Sequence, residues 1–155
     1  MIMEAQDRFD FFEPGDLTAL VCVDEPEIQR AIIDQITTLD YKIHTGLFVD
    51  DVLLKIKAHN YEVIVIDENF NGSLLTSSPL LAEVMHLPAN SRRNQFVVLI
   101  GLGFTTNDEM EAFSLSVNLV CNVADIKNLR PVLRRAIVRH KEFYTHFAAT
   151  YKMIE

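Results

Sequence analysis

Short apolar runs and amphipathic segments alternate along most of this chain. An apolar run without polar alternation is typical of a strand covered on both faces, whereas apolar residues three and four positions apart indicate a helix with one buried face. The sequence therefore predicts five strands, at Leu17 to Val23, Tyr41 to Thr45, Tyr61 to Asp67, Gln95 to Gly101 and Val117 to Asn122. It predicts helices that begin at Pro26, at Val49, at Pro79 and after Thr106, the expected N-cap of the fourth helix.

The regular alternation of strands and helices indicates the fold class. Parallel strands need helical crossovers, which cover both faces of the sheet. The sequence therefore predicts an α/β fold with a doubly wound five-stranded parallel sheet, and the strand count favours the flavodoxin-like order 2-1-3-4-5 over a six-stranded sheet. Ligands in such folds bind at the carboxyl ends of the strands, which are here Asp24, Asp67, Gly101 and Asn122.

The last helical segment is longer than the sheet needs. Its helical spacing runs from Asp125 to about Tyr151, roughly 40 Å of α-helix, and a five-stranded sheet covers about half of that length. We expect the aromatic stripe Phe143, Phe147 and Tyr151 to form an interface through which two copies make a homodimer. The alternatives are that the helix bends back onto its own domain or frays.

These patterns predict three parts of the chain: an N-terminal extension over residues 1–16, an α/β domain over 17–138, and an extension of the last helix over 139–155. The extension includes the aromatic segment from Phe9 to Gly15, FDFFEPG. We expect this segment to pack on its own domain or on a dimer partner. The alternative is an extended docking segment for another protein.

Composition narrows the class of protein. Apolar residues make up 49% of the chain, enough for a substantial core, which excludes global disorder. Acidic residues outnumber basic ones by 22 to 14, and the net charge of -8 argues against nucleic acid or an anionic membrane as a partner. The basic run from Arg130 to Lys141 is then interpreted as a solvated helix face or a contact for an acidic partner.

Cysteine usage and hydropathy favour a soluble cytoplasmic protein. Cys22 and Cys121 lie inside apolar runs and are expected to be reduced core residues. No apolar stretch approaches the roughly 20 residues of a membrane span. The five histidines lack ligand spacing and the chain lacks a nucleophile elbow, so we expect no classical enzyme activity.

Two acidic residues, Asp24 and Asp67, follow or end strands that are neighbours in the predicted order. Adjacent carboxylates repel each other unless they share a proton or a cation. Carboxylate oxygens are ligands that Mg²⁺ prefers, often together with a phosphate oxygen. The pair is therefore a candidate Mg²⁺ site, and the alternative is two ordinary strand ends.

Two segments around these acids, ALVCVDEPEIQ and YEVIVIDENFNG, resemble the first and third strands of a response-regulator receiver domain of two-component signalling. The resemblance covers about Leu17 to Val138. It implies that Asp67 is the phospho-acceptor of a phosphorelay, that Gly72 is the loop glycine, and that Asp24 is the second of two metal-binding acids.

The resemblance breaks down at the positions that hold the phosphoryl group. Val23 replaces the first acid, Gly101 replaces a serine or threonine, and Asn122 and Val123 replace a lysine and a proline. Phosphoryl transfer depends on positioning and charge neutralisation, so the sequence predicts a degenerate receiver, or pseudo-receiver. A lysine from elsewhere, such as Lys127, would restore the missing charge.

The leading functional interpretation is a non-enzymatic signalling module with atypical or no phosphorylation. It would act by protein contacts, through the long helix or through the face formed by the helix before the fifth strand, that strand and the last helix. The alternative is a functional single-domain regulator that uses Asp67 and Mg²⁺. A third class, a flavodoxin-like protein that binds a nucleotide or a flavin, is disfavoured by the short, glycine-poor loops at the strand ends.

Overall fold

The sheet has the predicted composition and order. The computed structural model of the chain describes residues 12–72 and 78–154, with the side chains of all of these except Asn90 and residues 147–154. The strands are β1 (Leu17–Cys22), β2 (Tyr41–Thr45), β3 (Val63–Asp67), β4 (Phe96–Gly101) and β5 (Leu119–Asn122). They are all parallel, in the order β2-β1-β3-β4-β5, which confirms the predicted topology.

Helices connect the strands and flank the sheet. They are α1 (Pro26–Thr37), α2 (Val49–Ala58), α3 (Pro79–Met85), α4 (Ala89–Arg93), α5 (Glu109–Ser114) and α6 (Leu129–Ile154). Short 3₁₀ segments follow β3, at Phe70–Gly72, and β5, at Val123–Asn128. No helix in residues 12–72 and 78–154 combines the length and apolar character of a membrane span.

The core consists of two layers, one on each face of the sheet. Ala19 and Val21 of β1 face one layer, which also includes α1 and the first half of α6, whereas Leu20 and Cys22 face the other, which includes α2, α3 and α5. Alternate side chains of one strand thus enter opposite cores, which explains why the strand sequences are apolar throughout. Cys22 and Cys121 are buried free thiols, as expected, and burial raises the pKa of each.

The prediction for the start of α5 was wrong. The N-cap is Asp108, whose carboxylate accepts a hydrogen bond from the Glu111 N–H at 3.1 Å. Thr106 instead contacts β5, where its hydroxyl accepts a hydrogen bond from the Asn122 N–H at 2.9 Å. The helix α4 could not be predicted either, because its five residues, ANSRR, have no apolar periodicity.

The last helix begins later than predicted and continues beyond the core. Its first turns bury Leu129 and Leu133 completely, and Ile137 is 9% exposed. Further along the helix, Phe143 is 63% exposed. The described side chains of the second half of α6 are exposed or half-buried, whereas those of Phe147 and Tyr151 lie outside the described residues.

The N-terminal aromatic segment contacts its own domain at one described residue. The Phe12 ring stacks on His44, with 4.2 Å between ring centroids, and lies 5.1 Å from His59. Phe9 and Phe11 lie outside the described residues. The described part of the segment therefore fits the expectation that it packs on its own domain.

Candidate functional site

Five residues at the carboxyl ends of β1, β3, β4 and β5 form what we call the strand-end site: Asp24, Asp67, Glu68, Gly101 and Asn122. The register pairs Asp67 with Ile100 and Gly101 with Asn122, so the ends of β3, β4 and β5 lie side by side. Burial raises the pKa of Asp67, its hydrogen bond with the Asn69 N–H opposes this effect, and the negative charge of Asp24 adds a smaller increase. The structure thus brings together the two predicted aspartates.

The loop after β3 holds both aspartates through its backbone. Asp67 Oδ1 accepts a hydrogen bond from the Asn69 N–H at 2.9 Å, and Asp24 Oδ2 accepts one from the Asn71 N–H at 2.6 Å. Asn71 and Gly72 both have positive φ, 57° and 75°, which turns this loop back over the strand end. Gly72, the predicted loop glycine, therefore occupies a position that favours glycine.

Glu68 is a third carboxylate in the site, and the sequence analysis did not identify it. A Cβ atom added to Gly101 would lie 2.5 Å from Glu68 Cδ, 2.6 Å from Glu68 Oε1 and 2.8 Å from Cε2 of the buried Phe104 ring. Glu68 therefore occupies the space that a serine or threonine side chain at position 101 would need. The strand register explains this proximity. Asp67 pairs with Ile100, so the residues that follow them, Glu68 and Gly101, are also neighbours.

Asn122 has a structural role at the end of β5. Its Nδ2 group donates hydrogen bonds to the carbonyl oxygens of Leu102, at 3.1 Å, and Phe104, at 2.7 Å. Its Oδ1 accepts a hydrogen bond from the Ala124 N–H at 2.9 Å. The side chain thus joins the β4 turn to the 3₁₀ segment after β5, and these bonds engage both ends of its amide group.

The hydroxyl of Thr106 is also engaged away from the two aspartates. Besides accepting the Asn122 N–H, it donates a hydrogen bond to Asp125 Oδ2 at 2.5 Å. In receiver domains, a serine or threonine at position 101 would direct its hydroxyl at the phosphoryl group. The Thr106 hydroxyl does not replace it, because it bonds Asp125 and Asn122 instead.

Among the side chains that the structure describes, no lysine, arginine or histidine forms an ion pair with Asp24, Asp67 or Glu68. Ion pairs between described side chains join Lys42 to Asp16, Lys55 to Asp51 and Arg139 to Glu109. Lys127 lies exposed on the 3₁₀ segment after β5. The described part of the strand-end site is therefore anionic.

The donor set for a divalent cation is smaller than the resemblance implies. Val23 is 1% exposed and packs in the core layer beside α1 and α6, so it contributes no oxygen to the site. Of the acids that the resemblance assigns to the metal, Asp24 and Asp67 remain, each with one oxygen already bonded to a backbone N–H. Among the described side chains, no group of three or more His, Cys, Asp or Glu residues is arranged to hold a metal ion. The residues present therefore do not fit the three-acid Mg²⁺ site of the family.

Comparison with solved structures identifies the fold. HP1043, an orphan response regulator of H. pylori, is 13% identical with a TM-score of 0.58, and the match covers 79% of this chain and 97% of that one. The chemotaxis response regulator CheY4 of Vibrio cholerae is 14% identical with a TM-score of 0.54, over 75% and 98% of the two chains. The chain has the fold of response-regulator receiver domains.

A third neighbour with this receiver fold is the receiver domain of the Francisella response regulator 1452. It is 18% identical with a TM-score of 0.57, and the match covers 82% of this chain and 98% of that one. No protein-family model matches the sequence, and no curated protein matches it. The similarity is therefore one of fold.

Proposed function

We propose that this chain is a cytoplasmic signalling module, a pseudo-receiver, that acts through protein contacts and homodimerisation and does not retain a phosphoryl group on Asp67. The observation that carries the proposal is the contact between Glu68 and Gly101, because a carboxylate occupies the space of the hydroxyl that would bind the phosphoryl group. The absence of an ion pair to the described strand-end acids supports it.

Electrostatics explains why this arrangement disfavours phosphorylation. A phosphoryl group brings a charge of about -1.5 to -2 near neutral pH. Two unit charges 4 Å apart repel by about 4 kcal/mol at an effective dielectric constant of about 20. Asp24 and Glu68 would add such repulsion, and catalysis of phosphoryl transfer depends on neutralising that charge.

Incubation with acetyl phosphate and Mg²⁺, followed by intact-mass measurement, tests the proposal. We expect no mass gain, either for the natural chain or for an Asp67→Asn control. The second candidate function is a phospho-accepting regulator, which is favoured by the retained pair of Asp24 and Asp67. A mass gain of one phosphoryl group that Asp67→Asn abolishes would establish this second function and contradict the first.

The face formed by α5, β5 and α6 is the proposed contact surface. Met110 and Phe113 of α5 are 76% and 81% exposed, and Phe143 of α6 is 63% exposed. Phe113 and Phe143 line a cleft of about 330 Å³ between the two helices, and Arg139 lies 3.9 Å from Glu109 across it. Exposed aromatic residues beside an apolar cleft are typical of a protein interface.

The aromatic stripe of α6 is the proposed dimer contact. Phe143, Phe147 and Tyr151 follow each other at four-residue spacing within the helix, so the backbone places them along one side. A two-fold axis between two such helices would give each copy the same contact.

Light scattering at several protein concentrations tests the dimer. We expect Phe143→Asp to give a monomer, because it places a charge in the apolar contact. Val138→Asp is the matched control, since Val138 is 48% exposed on the same helix but lies about 140° around it from Phe143. A natural chain that is monomeric, or a Phe143→Asp variant that stays dimeric, would remove the stripe as an interface.

A further inference from the structure

A groove lies at the amino-terminal edge of the sheet, opposite the strand-end site. It has a volume of about 900 Å³ and is bounded by the first residues of three strands and by the middle of α6, from Ile137 to Thr145. Its apolar lining includes Leu17, Tyr41, Phe96, Ile137 and Tyr144. Ligand-binding pockets have volumes of about 300–1,000 Å³ and are lined mainly by apolar and aromatic side chains with a few polar groups, and this groove has both properties.

Gln95 supplies an unsatisfied polar group in the wall of this groove. Its side chain is 2% exposed, and its Oε1 atom is buried with no hydrogen-bond partner among the described residues. Gln95 also lines an adjoining cleft of about 240 Å³. Buried carbonyl groups are nearly always hydrogen-bonded, so this oxygen requires a donor that the described chain does not supply.

The two sides of the groove differ in charge. On the sheet side, the Glu62 carboxylate accepts hydrogen bonds from the Thr18 N–H and hydroxyl, at 2.7 and 2.8 Å. On the α6 side, the pKa of His140 is lowered chiefly by burial and further by the positive charges of Arg92 and Lys141, against an opposing effect of its hydrogen bond to the Arg93 carbonyl. An anionic group is therefore favoured toward Lys141, and a hydrogen-bond donor toward Gln95 and Glu62.

Aromatic rings determine the shape of the ligand that fits. The Phe96 ring lies 5.6 Å from His140, edge to face, and His140 lies 4.7 Å from the Tyr144 ring. Tyr41 is 8% exposed at the start of β2, and burial raises the pKa of its hydroxyl, so it is neutral at physiological pH. Flat aromatic compounds pack well against such surfaces, by offset stacking or edge-to-face contact.

We propose that this groove binds a small planar aromatic acid that carries an N–H or O–H donor. The donor bonds Gln95 Oε1, the ring packs on the apolar lining of Leu17, Tyr41 and Phe96, and the carboxylate lies toward Lys141. The site is remote from Asp67, so it stands independently of the function proposed for the strand-end site.

A matched pair of probes tests the site on the full chain. Indole-3-carboxylate has the ring, the acid and an N–H donor, whereas 1-benzothiophene-3-carboxylate has the same shape and charge without the donor. In an NMR titration of the ¹⁵N-labelled protein, we expect indole-3-carboxylate to shift the amide signals of Gln95, Phe96 and Tyr144. We expect the benzothiophene to bind about fivefold more weakly, the factor that a net hydrogen bond of about 1 kcal/mol contributes.

Two variants assign the interactions. Gln95→Met should abolish the preference for indole-3-carboxylate. This variant lacks the Oε1 atom that accepts the hydrogen bond of the indole N–H, so the N–H no longer favours one probe over the other. Lys141→Met should weaken both probes, whereas the control Lys127→Met, at an exposed lysine outside the groove, should weaken neither. The proposal is overturned if indole-3-carboxylate causes no shift or shifts residues elsewhere, or if the natural chain binds both probes equally.

Discussion

Gly101 shows how one absent side chain changes the chemistry of the strand-end site. Without a Cβ, the residue lies beside the Glu68 carboxylate and the Phe104 ring, and a side chain at position 101 would have to displace them. The positions of Asp24 and Asp67 could be predicted because acids that follow apolar strands collect at one edge of a parallel sheet. The contribution of Glu68 to this site and the unpartnered oxygen of Gln95 could not be predicted. The first depends on strand register and the second on burial, and no local sequence pattern encodes either.

Substitution of Gly101 measures how tightly this space is filled. We expect Gly101→Ala to lower the free energy of unfolding by about 1–2 kcal/mol in urea denaturation, because the added methyl group meets Glu68 and Phe104. Glu68→Ala in the same chain should restore part of the loss. The control Gly103→Ala should change stability by less than about 0.5 kcal/mol, since its Cβ meets nothing within 4 Å. Equal effects at both glycines would contradict the contact.

The ionised Asp67 carboxylate should lower the stability of the folded protein at neutral pH. Burial and Asp24 raise its pKa in the folded protein above the unfolded value, so the folded state binds a proton more tightly and loses stability as pH rises through that range. We expect Asp67→Asn to raise the melting temperature at pH 7 but not near pH 3, where the carboxyl group is protonated in both states. The exposed Asp34→Asn should show no such difference. Destabilisation by Asp67→Asn at pH 7 would contradict the anionic character of the site.

At the scale of elements, side-chain hydrogen bonds connect the ends of β4 and β5 in addition to the backbone hydrogen bonds of the sheet. Asn122 bonds the β4 turn and the following 3₁₀ segment, and Thr106 bonds Asn122 and Asp125. Long helices with proline at the first turn, α1 among them, could be predicted from their periodicity. The late start of α6 could not be predicted, because the residues before it, Val123–Asn128, form a 3₁₀ segment that the Asn122 side chain caps.

Asn122 is therefore expected to be a stability residue. Asn122→Ala removes the bonds to Leu102, Phe104 and Ala124, and we expect it to lower the free energy of unfolding by about 2–3 kcal/mol. Chemical denaturation measures the loss, with Asn128→Ala, at an exposed position of the same 3₁₀ segment, as the control. A change below about 0.5 kcal/mol for Asn122→Ala would show that solvent replaces these bonds.

The amino-terminal edge of the sheet should be sensitive to acid. Burial lowers the pKa of His59, against a smaller opposite effect of Glu62, while its Nε2 lies 2.9 Å from the Thr18 hydroxyl and its ring packs on Phe12 and Tyr61. The unfolded chain then binds a proton more tightly, so stability should be constant above about pH 7 and fall as pH drops below about 6.5.

Thermal unfolding between pH 5 and pH 8 measures this slope. We expect His59→Gln to reduce it, and the exposed His86→Gln to leave it unchanged. The pKa of His140 is also lowered, so His140 should cause the pH dependence of stability that remains in the His59→Gln variant. A natural chain that becomes more stable on acidification through this range would contradict the lowered pKa of His59 in the folded protein.

At the scale of the whole molecule, one fold carries distinct surfaces at opposite edges of the sheet. The carboxyl-terminal edge holds the three acids, the amino-terminal edge holds the groove, and α5 and α6 present exposed aromatic residues. The strand order and the long last helix could be predicted because alternation and length are encoded locally. The groove could not be predicted, because it arises where the middle of α6 meets the first residues of three strands.

Titration with beryllofluoride and Mg²⁺, followed by ¹H–¹⁵N NMR, tests the central claim most directly. The beryllofluoride group resembles a phosphoryl group on an aspartate and needs the same positive surroundings, without requiring a phosphodonor. We predict that the amide signals of Asp67, Glu68 and Gly101 stay in place throughout the titration. Saturable shifts at these residues that Asp67→Asn abolishes would contradict the account of an anionic site unable to hold a phosphoryl group.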